Sequence, residues 1–88
     1  MLDRTIINKD EVRRSISPLF NSQNLISADL NVPTENKNLC VAVSDINELF
    51  KNIISAASDM PHNSFFLTYK INSESSISLN IYPKVESA

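Results

Sequence analysis

The chain has 88 residues, of which 42% are hydrophobic, 20% charged and 7% aromatic, enough for one small globular domain and too short for a second. Eight Lys and Arg against ten Asp and Glu leave a formal net charge of −2, so no cationic surplus can neutralise a run of phosphates, and nucleic acid is disfavoured as the main ligand. Glycine is absent, which excludes the Gly-rich phosphate loop, the dinucleotide fingerprint and the nucleophile elbow, each of which needs close backbone approach or positive φ.

Residues 1–7 read as a short arm. Asn8 with Glu11 three residues on has the layout of a capping box, so a first helix is expected at 9–20. Val12, Ile16 and Phe20 recur along one face at four-residue spacing with Leu19 beside them, and Pro18 must end or kink the helix or open a new turn after Ser17. From Leu25 the period changes to two. Ile26, Ala28, Leu30 and Val32 alternate with Ser27, Asp29 and Asn31, the pattern of a strand with one buried and one wet face. A polar turn over 33–38 and a Val-rich apolar run over 39–43 then predict a hairpin, and positive φ in such turns should fall to Asn.

Asp45 and Glu48 form a second capping-box pattern ahead of Ile46, Leu49, Phe50, Ile53, Ile54, Ala57 and Met60, one apolar stripe at helical spacing. An amphipathic helix is expected at 45–60, closed by Pro61 and followed by a loop over 61–64. Residues 65–71 and 76–82 alternate again, with Phe65, Leu67, Tyr69 and Ile71 on one face of the first and Ile77, Leu79 and Ile81 on one face of the second. Turn residues 72–75 make this a second hairpin, its outer strand ended by Pro83 and its tail, 84–88, frayed. The order α-β-β-α-β-β therefore predicts a single α+β domain over 1–88, with a four-stranded antiparallel sheet against the helix at 45–60 and the shorter N-terminal helix over the remainder or an edge. A core of this size is modest, and a homodimer is the common supplement.

One cysteine, Cys40, forms no internal disulfide, which points to a reducing compartment, and one cysteine with one histidine, His62, cannot supply a Cys/His zinc site. No apolar stretch reaches the roughly 18 residues of a membrane span and the first residues lack a signal-peptide layout, so a cytoplasmic location is expected. The acidic pairs Asp10/Glu11 and Asp45/Glu48 sit in first helical turns, where the exposed N–H groups account for them without catalysis. His62 in its loop and Cys40 in mid-strand have no partner that spacing identifies, so an enzyme using either is the least favoured reading, and neither catalytic residues nor a cofactor are expected.

Two surfaces remain. Lys9, Arg13 and Arg14, with Arg4 upstream, form the only basic cluster; Asp10 is spaced for ion pairs with Arg13 and Arg14, which makes a solvated face the simpler reading and a nucleic-acid-associated regulatory module the alternative. The outward face of the second hairpin presents Phe66, Thr68 and Lys70 beside Ser78, Asn80 and Tyr82, with Cys40 and Ala42 sharing that face from the first hairpin. Aromatic, small and polar residues with sparse charge resemble the make-up of protein interfaces, unless the first helix packs over Phe66 and makes the patch core. Sheet edges can also add a strand from another chain, with Pro83 and Lys84 blunting one of them. The expected function is that of a small non-enzymatic protein that binds another protein as a regulator, inhibitor or assembly factor, through Phe66, Thr68, Lys70, Asn80 and Tyr82.

Overall fold

The computed structural model describes residues 4–21, 24–72 and 75–84. Among the described residues eight helices and strands follow in order: β1 (Arg4–Asn8), α1 (Val12–Ile16), α2 (Pro18–Asn21), β2 (Ser27–Val32), β3 (Lys37–Ala42), α3 (Ile46–Ser58), β4 (Ser64–Asn72) and β5 (Ser76–Pro83), with a 3-10 turn at Lys9–Glu11 joining β1 to α1. The class is α+β, as expected.

The sheet differs from the expectation in three ways. It has five strands, it is mixed, and its order is β1-β4-β5-β2-β3. Residues 4–7 of the expected arm at 1–7 belong instead to strand β1, which runs antiparallel to β4 with Ile7 opposite Phe65, and residues 1–3 lie outside the described residues. Thr5, Ile6 and Ile7 are β-branched in succession and stiff at χ1, which suits an extended backbone. The strand expected to be outer, β5, lies in the centre, antiparallel to β4 and parallel to β2. Pro83 and Lys84 therefore blunt no edge; the edges are β1 and β3. Parallel pairing sets Ala28 beside Ile77 and Leu30 beside Leu79, so the apolar rows of the two hairpins merge into one surface. Ile77, Leu79 and Ile81 are wholly buried there, as central-strand residues should be. The expected tail is described only at Lys84; the rest of it lies outside the described residues.

The described helices pack on one face of the sheet. Leu49, Phe50, Ile53, Ala56 and Ala57 of α3 and Val12, Ile16 and Phe20 of the N-terminal helical segment share one core with the inward residues of all five strands. The first helix is a series of short pieces because Pro18 has no N–H to donate: Ser17 N–H still bonds the Arg13 carbonyl at 2.9 Å, and α2 opens immediately after. Its apolar face is as read from the four-residue spacing. Neither capping box closes, since Asn8 and Asp45 make no side-chain cap hydrogen bond. Asn8 is the last residue of β1, in extended conformation, and Asp45 ends a 3-10 turn at Val43–Asp45, so backbone pairing before each helix decides where these side chains point. The long helix is correspondingly shorter than 45–60, with Met60 still buried beyond its end and Ile54 exposed on its flank.

Positive φ occurs at Asn36 (50°) and Ser75 (60°). Asn36 closes the β2–β3 turn with its N–H on the Pro33 carbonyl. Ser75 was outside the expectation that Asn would take these positions; its carbonyl accepts from Ile26 N–H at 2.6 Å and so ties the β4–β5 turn to the entry of β2.

Candidate functional site

The described helices share one core with the inward rows of the sheet, on the side opposite Ile6, Phe66 and Tyr82. Strand register arranges that outer face in rows. Ile6, Phe66 and Tyr82 lie side by side across β1, β4 and β5, forming an apolar row of which Ile6 is 55% and Tyr82 36% exposed. The next row runs Thr68, Asn80, Asn31, Asn38, and the one after it Lys70, Ser78, Asp29, Cys40. Apolar character is thus confined to the β1 side of the face, while β2 and β3 contribute polar groups.

Of the residues expected to contact a partner, Phe66, Lys70, Asn80 and Tyr82 are placed on this open face with full or partial exposure. The first helix does not cover Phe66, because Val12, Ile16 and Phe20 are spent on the opposite side of the sheet. Thr68 is different. It is only 5% exposed, and its hydroxyl is the one buried side-chain oxygen or nitrogen without a hydrogen-bond partner among the described residues. It forms the floor between the apolar and polar rows and offers a partner almost no surface. Ile6 was missing from the sequence-based set although it extends the apolar row; its signal was the Thr-Ile-Ile run, which reads as strand only if each β-branched residue counts for more than alternation.

Toward the opposite edge, Asp29, Asn31, Asn38, Leu39, Cys40 and Ser78 line a shallow depression of about 320 Å³. Cys40 is exposed and directly across the strand pair from Asp29. The Asp29 carboxylate raises the thiol pKa, first by accepting its hydrogen bond and then by opposing thiolate charge. A thiol held protonated is a poor nucleophile near neutral pH. Removing the carboxylate should reverse this: Asp29→Asn is expected to shift the pH midpoint of Cys40 alkylation by iodoacetamide downward and to speed the reaction at pH 8. An unchanged midpoint would show that Asp29 does not govern the thiol.

His62 is half-buried in the loop between α3 and β4, with no hydrogen bond or ion pair among the described residues. The structure does not bring it together with Cys40, which lies on edge strand β3. No group of three or more His, Cys, Asp or Glu among the described residues is arranged to hold a metal ion, and no described helix is long and apolar enough to cross a membrane.

The basic cluster is drawn inward. Lys9 Nζ donates to the Met60 carbonyl at 2.6 Å, which satisfies one of the orphan acceptors just past α3. The Arg13 guanidinium donates to Asn47 Oδ1 at 2.7 Å and lies 5.2 Å from the centroid of the Phe50 ring, clamping α1 to α3. Arg14 pairs with Glu11 at 3.9 Å, not with Asp10, in an exposed contact worth a few tenths of a kcal/mol. Two of the three cations thus serve contacts between elements of the fold.

The chain matches no protein-family model, no curated protein and no solved structure. The site has to be read from its own geometry.

Proposed function

We propose that this chain is a small non-enzymatic protein-binding module that acts as a regulator, inhibitor or assembly factor, docking its partner on the open face of the sheet around Ile6, Phe66 and Tyr82, with Lys70 and Asn80 at the margin. One observation supports the reading: large apolar side chains of three strands are aligned in a row on the face opposite the described helices. The helices bury the inner rows almost completely, so the outer row is not required for the core, and aromatic side chains in such a setting are the usual anchors of protein interfaces. The engaged state of Lys9 and Arg13 favours this surface over the nucleic-acid alternative.

The test is capture of the partner from host lysate by the tagged chain, with Phe66→Ala and Tyr82→Ala compared with the parent. Each truncation is expected to lower affinity about tenfold or more while melting stays nearly unchanged. Retention of the same partner at full strength by both variants would overturn the reading. So would loss of all captured protein on nuclease treatment, which would transfer the role to Arg13 and Arg14.

A further inference from the structure

We propose that the groove between the end of α3, the β2–β3 turn and the end of β5 seats a long cationic side chain, Lys or Arg, presented by another protein. None of its lining residues belongs to the outer rows of the sheet, so the inference stands apart from the docking proposed there.

The floor supplies the first argument. Ala56, Met60, Pro61 and Pro83 line a cavity of about 210 Å³, and within it Ala56 is 4% and Met60 8% exposed. These four residues offer no side-chain donor, so the floor suits a chain of methylenes and nothing that must stay solvated. The volume is below the roughly 300–1,000 Å³ of pockets that enclose a whole small molecule, which points to one side chain of a larger partner.

Charge at the rim is the second. Glu35, from the 3-10 turn Pro33–Glu35, and Asp59, the C-cap of α3, bring two exposed carboxylates to the same groove. Neither is within ion-pair distance of a described cation, Lys9, Lys37 and Lys84 included. An apolar floor under an anionic rim matches the two halves of a Lys or Arg side chain, whose stem buries against apolar surface while its charged head stays in water.

The placing of Asp59 is the third. The carbonyl end of a helix carries the negative pole of its dipole and favours Lys, Arg or His, yet the last turn of α3 has no basic residue and its C-cap is a carboxylate. The fold itself seats one ammonium close by, with Lys9 Nζ on the Met60 carbonyl at 2.6 Å. Two carboxylates and the helix end thus share a single engaged cation. An anionic occupant would be repelled, and a neutral apolar one would gain nothing from the rim.

Amide NMR of the full chain, titrated at constant ionic strength with an otherwise uncharged pentapeptide carrying one central lysine, tests this. Saturable shifts are expected at Ala56, Asp59 and Met60, with a Kd of about 1–10 mM for a single anchoring side chain. Norleucine in place of the lysine keeps the stem without the charge, and diaminopropionate keeps the charge on a shorter stem; each should weaken binding about threefold or more, as should Glu35→Gln combined with Asp59→Asn. Asp59→Asn alone should raise the melting temperature by about 1–5 °C, because it removes a carboxylate from the negative helix end. Absence of saturable shifts, equal binding of the norleucine peptide, indifference to the double variant or a fall in melting with Asp59→Asn would each overturn the proposal. Butylamine binding more than tenfold tighter than the peptide would assign the groove to a free amine and overturn it as well.

Discussion

Phe65→Ala is expected to lower stability by about 3–5 kcal/mol, whereas Phe66→Ala, one residue along, should change it by no more than about 1 kcal/mol. The two rings are adjacent in β4 but on opposite faces. Phe65 is wholly buried among the inner rows, with Ile7 and Pro83 as its cross-strand neighbours, and truncation leaves a cavity that flanking strands cannot fill without breaking register. Phe66 stands between Ile6 and Tyr82 on the face without helices. A chain of this size has about 4–13 kcal/mol of total stability, so the Phe65 variant should lose roughly 12 °C or more of melting temperature by circular dichroism. Equal losses for the two variants would mean that Phe66 belongs to the core and that the open face is structural.

Ile53→Ala should be the second severe change, at about 2–5 kcal/mol, with Ile54→Ala below about 1 kcal/mol. Periodicity puts both isoleucines on the apolar stripe. In the structure Ile53 is wholly buried where α3 lies over β2, β3 and β5, while Ile54 is 45% exposed on the flank of the helix. Urea midpoints of the two variants, at equal m, measure the difference directly. Similar midpoints would imply that α3 is rotated about its axis relative to the sheet.

These pairs also show what was legible from residue order and why. Parity along a strand is local, so the inward and outward faces of the four expected strands, and with them Phe66 and Tyr82 on the outer side, follow from alternation alone. Strand order is not local. Nothing in residues 76–82 states that their second neighbour is β2 in parallel orientation; that follows from fitting the Ile77–Leu79 row against Ala28 and Leu30. β1 carries no alternating pattern, because Ile6 and Ile7 are both apolar for different reasons, one joining the outer row and the other the core. The site was blurred for the same cause: Ile6 becomes part of it only when β1 docks on β4. Parity alone makes Thr68 an exposed contact, yet an inner strand has neighbours on both sides, and Thr68 is only 5% exposed. The capping boxes failed where strand pairing and a 3-10 turn took hold of the residues meant to cap.

The central position of β5 has a bearing on how the sheet is made. Before residues 76–83 are in place, β1 can pair only with β4 and β2 only with β3, and no backbone hydrogen bond of the sheet joins one pair to the other. Each pair alone is a two-stranded ribbon, marginal in water. β5 carries two ladders at once, a local one with β4 and a parallel one with β2, and the second is a closure over distant segments of the kind that slows folding. A chain in which β5 is displaced therefore keeps two ribbons whose apolar rows are no longer joined, with an open strand edge on each.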